Sequence, residues 1–479
     1  MIIPRKSVHR FVFVSNIKDP LAGQINPSPG LMEAFLLSET YSTPSTLLLA
    51  KNAKANGSLM ISDNGNFSRM KSMAAKFQAE GNKLLAVALK ETRQKGAPGR
   101  NTLHQRNRLF REITGHVQKN QGILDMTRLI GRQLQCNPDY LIGLEDFVIP
   151  VLHLCNVLHP VYNAAPSEIR MFQKNTQKMY ARQLKGDYGY KKELEDKAVF
   201  LVYHACNYAT AKQAAALNRK TVADGIAISF GATLASRSFV DFIKIDRKTY
   251  RFDESLPESY LLSVALVLGA HKGDTRKLPV HILGLGTPIL IVLVAALLCD
   301  SVAISIDSTA TFKDADDGNV YGSRDAFLKM DMYKLAAYAL VNDDPYQSAS
   351  PWFMWFESQF PSNWKGLKAR LDVQREDAVS SLAEKLKAQP ALLEEFIPFF
   401  SPMRKGNDEF IRKVRLARAG CNFWVLKKIC AEVRKRKNNK TVLFNWVERE
   451  VVRYERSASP KWASAVWACF RIIKETNGV

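Results

Sequence analysis

Four short apolar runs in this chain each end on a residue able to move a proton or attack an electrophile. LMISDNGNF puts Asp63 just past one run, LIGLEDF puts Glu145 and Asp146 past a second, VYHACNY puts His204 past a third and AISID puts Asp307 past a fourth. In a parallel β/α protein, groups at the carboxyl ends of strands converge on one rim. Carboxylates paired on such a rim suit glycosidic chemistry, in which one attacks the anomeric carbon while the other passes a proton to the departing group and takes one from the incoming group. Each residue also has a plainer reading. Asp63-Asn64-Gly65 is a good turn sequence, Glu145, Asp146 or Asp307 could cap the element that follows, and His204 could be a satisfied core histidine. Jointly, at successive strand ends, these residues favour chemistry.

The elements that must position them are short and buried. Eight strand candidates run along the first two thirds of the chain: Arg10 to Val14, Thr46 to Leu49, Ser58 to Ser62, Tyr140 to Leu144, Val199 to Tyr203, Gly225 to Ser229, Pro279 to Leu283 and Val302 to Ile306. Apolar runs bounded by Gly, Pro, Asn and Asp suit strands buried on both faces, and the segments between them suit crossover helices. The expected fold is therefore α/β, a (β/α)8 TIM-type barrel over residues 1–322 that closes near Asp307. Its last unit reads as a strand, a Gly-x-Gly-Thr-Pro turn at Gly284 to Pro288, an apolar helix to about Leu298, and the strand that ends at Asp307. From Ile282 to Cys299 there is no charge, a length at the threshold for a membrane span. The glycines near one end and the Thr287-Pro288 helix start instead predict a strand end and a core helix, so no membrane is expected.

The formal charge of +22 over 479 residues is concentrated. Arg69 to Gln121 holds twelve Lys and Arg against three acids, and Arg404 to Lys440 holds thirteen against three. Such density predicts a polyanion partner, nucleic acid before an anionic membrane. The first window is a basic insertion, about 69–121, after the third strand, with a loop at Gly96 to Gly99; Arg100, Arg106 and Arg108 are its candidate phosphate contacts. Past Gly322 the pattern turns helical and all seven Trp lie beyond residue 350, which predicts a basic helical domain over 323–479 whose Trp side chains mostly pack its core. There Arg434, Lys435, Arg436 and Lys437 are the sharpest phosphate-contact candidates, because four consecutive cations are hard to pair locally. Seven scattered cysteines with no C-x-x-C spacing, and an amino terminus too short in apolar residues for a signal core, point to a reducing, cytoplasmic setting.

Four motifs in register carry a family resemblance. SDNGNF (Ser62 to Phe67), ADGIAISFGA (Ala223 to Ala232), HILGLGTP (His281 to Pro288) and SIDSTATFKDADDG (Ser305 to Gly318) resemble, in order and spacing, segments of the tRNA-guanine transglycosylase barrel across roughly residues 10–320. The resemblance implies base exchange: guanine leaves a nucleotide and a 7-deazaguanine takes its place through a covalent sugar-enzyme intermediate. It makes Asp307 the nucleophile and Asp63 the general acid and base, with Asp146, and Glu145 beside it, bonding the purine edge. His204 stands where the family has a base-reading Gln, with different donors and acceptors. Ser229 and Phe230 replace glycines of the family's Gly-Gly-Leu loop, leaving Gly231.

The chain departs from that family after the nucleophile. The C-x-C-x-x-C plus His zinc element is missing, and no histidine follows His281, so no metal or other cofactor is expected. The looser cluster of His153, Cys155 and His159 has poor zinc spacing. Losing that element while gaining a basic helical region brings the chain nearer to the DNA 7-deazaguanine transglycosylases of bacteria and their viruses, which insert a base such as preQ0 into DNA. That resemblance implies DNA and a free 7-deazaguanine as substrates, with a helper protein of the modification system as a partner. RNA base exchange, and an inactive barrel kept as a nucleic-acid-binding module, are the alternatives.

Overall fold

The computed structural model describes residues 11–16, 33–39, 42–162, 166–205, 207–219, 221–230, 242–245, 247–251, 258–274, 278–322, 329–341, 361–373, 379–396 and 409–479. The chain opens with β1 (Phe11–Asn16), β2 (Ala34–Ser38), α1 (Pro44–Ala55) and β3 (Leu59–Asp63). Three helices follow before the next strand: α2 (Asn66–Lys95), α3 (Arg100–Lys119) and α4 (Ile123–Leu134). Then come β4 (Tyr140–Ile142), α5 (Val148–Leu154), α6 (Pro166–Lys185), α7 (Lys191–Glu195), β5 (Ala198–Tyr203), α8 (Tyr208–Asn218) and β6 (Gly225–Ser229). A hairpin of β7 (Phe242–Ile245) and β8 (Lys248–Arg251) leads to α9 (Glu258–Gly273), β9 (Val280–Leu283), α10 (Pro288–Leu297), β10 (Ile304–Asp307) and α11 (Ala310–Asp316). A ribbon of β11 (Val320–Tyr321) and β12 (Lys329–Met330) precedes the helical part, α12 (Met332–Val341), α13 (Pro361–Arg370), α14 (Val379–Ala388), α15 (Glu409–Arg436), α16 (Lys440–Ser457) and α17 (Pro460–Asn477).

Eight parallel strands close the barrel in the order β1-β10-β9-β6-β5-β4-β3-β2, so the first strand meets the last. The expected second strand is corrected: Thr46 to Leu49 lies in α1, and β2 is the earlier AFLLS. Thr43 and Thr46 cap that helix reciprocally and Pro44 pre-sets its first turn, which outweighs the strand-like look of TLLL. The other expected strands shift by no more than two residues at either end, apart from Arg10, which lies outside the described residues.

Side chains alternate across the barrel wall, as the two-residue period of a strand requires. Val12, Val14, Leu36, Leu59, Ile61, Ile142, Phe200, Val202 and Ala227 fill the interior. Their neighbours Phe13, Met60, Leu201, Ile282 and Ile306 point outward into the core shared with the helices. This parity has a chemical consequence. Asp63 follows Leu59 and Ile61 inward, His204 follows Phe200 and Val202, and Asp307 alternates with the outward Ile304 and Ile306.

The long apolar segment is a core element. Every residue of α10 is buried, and among the described residues no helix is long and apolar enough to cross a membrane. Helix α15 covers the closing strand pair: the Phe423 ring lies 6.1 Å from Phe13 of β1 and 5.3 Å from Phe312 of α11. One hydrophobic core runs from the barrel's outer face into α15, α16 and α17. Of the tryptophans there, Trp446 is buried, Trp424 and Trp467 are half-buried, and the Trp462 ring lies tilted against Tyr260 at 4.8 Å.

Candidate active site

The turn after β3 sets the first group. Asp63 ends the strand half-buried, and its Oδ2 accepts the Gly65 N–H at 3.3 Å, so the Asp-Asn-Gly turn also aims the carboxyl. Desolvation raises its pKa from the ordinary 3.8 to about 7, helped by the negative charges of Asp307 and then Glu145, against smaller lowering by the Gly65 and Asn64 amides. Asp63 is thus divided between acid and carboxylate near neutrality, the state suited to giving and taking a proton.

Asp307 approaches from the opposite side of the closure. It is buried at the end of β10, level with Leu283 of β9 and Val14 of β1. The turn after β9 holds it: the Gly284 N–H meets the Asp307 backbone oxygen at 2.9 Å and its Oδ1 at 3.3 Å. Gly284 has φ +87°, the left-handed region that suits glycine. At Gly286 a Cβ would come within 2.4 Å of the Ser308 Oγ and 2.5 Å of the Ala310 Cβ, so the second glycine lets the turn lie against the chain that leaves Asp307.

The third group is Glu145. Its Oε1 accepts from Asn64 Nδ2 at 3.0 Å, and its Oε2 lies 2.5 Å from His204 Nε2, all buried. Asn64 also donates to the Gly143 carbonyl at 3.2 Å, tying β3 to the end of β4. His204 is placed by Gln173 of α6, whose Oε1 accepts the His204 N–H at 3.3 Å while its Nε2 donates to Val202 at 3.2 Å.

Asp146 lies beside this network with a different task. Its Oδ1 accepts the Val148 N–H at 3.0 Å, capping α5, and its Oδ2 accepts from Asn175 Nδ2 of α6 at 3.0 Å. Asp146 thus steadies the start of α5 in addition to the base contact expected of it, while Glu145 is the residue joined to Asn64 and His204. Phe230 is fully buried, and its N–H donates to Leu283 at 3.2 Å; Gly231 lies outside the described residues.

One buried residue beneath the site has no counterpart in the sequence-level assignment. His281 of β9 is fully enclosed, its Nδ1 2.8 Å from Ser305 Oγ and its Nε2 3.4 Å from Asp307 Oδ1. The signal was its parity, two residues before the strand end on the inward side.

The stretch after Asp307 is clamped by side-chain hydrogen bonds. Asp314 receives the Tyr321 hydroxyl at 2.5 Å and Lys329 Nζ at 2.8 Å. From α15, Asn422 donates to Thr311 and Asn319 and accepts the Tyr321 N–H at 2.8 Å, Arg415 pairs with Asp316 at 2.5 Å, and buried Arg418 donates to Ala315 at 3.4 Å. Amides, a guanidinium and a carboxylate already held by Lys and Tyr do not fit a zinc ion of the Cys-His kind. Among the described residues, no group of three or more His, Cys, Asp or Glu could hold a metal. His153 and His159 are core histidines, pushed down to about 3 and about 4 chiefly by burial.

The expected phosphate contacts divide sharply. Each cation of the Arg434 to Lys437 run has a protein partner, which corrects the expectation that four consecutive cations are hard to pair. Arg434 forks onto Glu33 at 2.6 and 3.0 Å, Lys435 and Arg436 share Glu432, and buried Lys437 donates to the Ser301 carbonyl at 2.6 Å. A helix buries one face, so Arg434 and Lys437 reach partners in other segments while Lys435 and Arg436 pair within the helix. Arg106 is corrected too: it is buried, donates to the Val157 carbonyl at 3.0 Å and stacks on Phe110. Arg108 is exposed but paired with Glu80 and Glu112, and Arg100 is exposed at the start of α3.

Helix α2 carries a better-placed set. Arg69, Lys76, Lys83 and Lys90 recur every seven residues and, among the described residues, pair with no carboxylate. Seven residues are nearly two helical turns, so these cations form a line with steps of about 10 Å, some 30 Å in all. The line begins six residues past Asp63.

Fold and site together define a parallel (β/α)8-barrel protein whose mouth holds a desolvated carboxylate cluster with one member poised near neutrality. No protein-family model matches the chain, and no curated protein matches it in sequence.

Proposed function

We propose that this protein is a DNA-guanine transglycosylase, exchanging guanine in DNA for a 7-deazaguanine base such as preQ0. The observation that carries the reading is the convergence of Asp63, Asp307 and Glu145 on one rim of the barrel, where burial raises Asp63 to about 7. Such a pair can run a two-step exchange at an anomeric carbon. An oxygen of Asp307 forms a bond to C1′ of deoxyguanosine; the glycosidic electron pair leaves with guanine, which takes its proton from Asp63. The incoming base then gives a proton to Asp63 carboxylate and attacks C1′, and Asp307 departs with the electron pair. Glu145, steered by Asn64 and His204, supplies acceptor oxygens for the N–H edge of a guanine-like base.

A glycosidic bond inside a stacked duplex cannot enter the barrel, so the nucleotide must be flipped out or offered single-stranded. The cation line on α2, with Arg100 on α3, leads from the mouth along a path suited to a phosphate backbone. The test is to incubate the protein with preQ0 and, separately, guanine-containing DNA and tRNA, then digest each and identify nucleosides by mass spectrometry. Deazaguanine in DNA supports the proposal; incorporation confined to tRNA selects the RNA enzyme, and binding without incorporation into either selects a nucleic-acid-binding module.

A further inference from the structure

We infer that His281 is a positioning residue for Asp307: it fixes which carboxylate oxygen attacks and steadies that carboxylate as it departs. The inference rests on the exchange reading above. His281 and Ser305 are direct partners in the β9-β10 register, one inward position below Asp307. The imidazole is fully buried, with the Phe200 ring edge-on at 6.5 Å, so its nitrogens depend on protein partners. Ser305 Oγ lies 2.8 Å from Nδ1. When that hydroxyl donates, the ring proton resides on Nε2, which faces Asp307 Oδ1 at 3.4 Å.

The Gly284 N–H donates to Oδ1 at 3.3 Å from the adjoining turn, and the buried His281 Nε2, which has no hydrogen-bond partner of its own among the described residues, faces the same oxygen from below. Held this way, Oδ1 becomes the carbonyl oxygen of the sugar ester, and Oδ2 forms and later breaks the bond to C1′. In the second step the electron pair of the O–C1′ bond returns to the carboxylate, and negative charge grows on Oδ1 against both donors. The 3.4 Å spacing is long for a hydrogen bond; catalytic contacts of this kind shorten when the site is loaded.

The test uses full-length protein with a guanine-containing oligodeoxynucleotide and preQ0, following guanine exchange and the covalent protein-DNA adduct on denaturing gels. H281F should slow exchange about a hundredfold, the scale of losing one oxyanion donor, and prolong the adduct after a preQ0 chase, with KM for the base little changed. H281Q, which keeps an N–H donor, should recover part of the rate. S305A, which leaves the ring in place and removes its tautomer control, should slow adduct decay in the same direction. If H281F melts early, H281Q and S305A carry the test. Adduct decay within twofold of wild type in S305A, and in H281F where it folds, while D307N forms no adduct, overturns the role of His281 alone; exchange by D307N overturns the nucleophile and the inference with it.

Discussion

Replacing Asp63 by Asn tests the site without any substrate. Folded, the carboxyl titrates at about 7; unfolded, it returns to the ordinary 3.8. The folded state thus binds the extra proton between those values, and stability falls as pH rises from about 4 to about 7, then levels off. Moving the carboxyl from 3.8 to about 7 corresponds to about 4 kcal/mol, an upper bound because the rim is partly open to solvent. D63N cannot ionise, so it escapes this cost. Urea unfolding at pH 4, 5.5, 7 and 8 should show D63N gaining on wild type steadily up to pH 7 and holding its lead above. D307N, which removes the charge that raises Asp63 most, should lower the pH at which Asp63 titrates. In the exchange assay D63N should be inactive, and the wild-type kcat/KM profile should bend near pH 7. A stability difference that stays flat across the range, or a wild type more stable than D63N at pH 8, would refute the desolvated cluster.

The nucleic-acid surface and two structural positions give further checks. Changing Lys76, Lys83 and Lys90 to Gln should weaken DNA binding and flatten the salt dependence of log K by about 2 to 3, roughly 0.9 for each lost phosphate contact, as measured by fluorescence anisotropy across salt. R434A should leave that slope alone and lower stability by about 1.5–3 kcal/mol, since it breaks the fork to Glu33, as read by urea melts. G286A should cost about 1–3 kcal/mol in the same melts, because its Cβ meets Ser308 and Ala310 at 2.5 Å or less.

Strand parity explains how much was readable. The barrel strands β5, β6, β9 and β10 are continuous apolar runs between breakers, so Asp63, His204 and Asp307 were readable as strand-end residues, and the period of two in the folded strands accounts for their facing inward. Thr46 to Leu49 misled because an apolar run with a β-branched start fits a strand, whereas the Thr43 cap and Pro44 that decide for helix are local details. That Asp146 holds the start of α5 while Glu145 meets His204 was not readable, since adjacent residues differ only in direction and Asn175, which bonds Asp146, lies far along the chain. The Arg434 to Lys437 run failed for the same reason: Glu33 and the Ser301 carbonyl come from distant segments.

The two kinds of charge on this molecule work against each other unless they are kept apart. Three carboxylates at one rim would repel a phosphate backbone, and cations beside them would pull Asp63 back toward the ordinary carboxylate range and spoil it as an acid. The fold separates the two by helix geometry. The main influences on Asp63 are burial, the two neighbouring carboxylates and backbone amides rather than cations, while the α2 line carries its positive charge away from the mouth in steps of about 10 Å, roughly the Debye length at physiological salt. In the exchange reading, this lets the strand be gripped outside the barrel while an uncharged base enters a site of negative charge, and it explains why neutralising the line should change affinity and salt slope while leaving the pH at which Asp63 titrates unmoved.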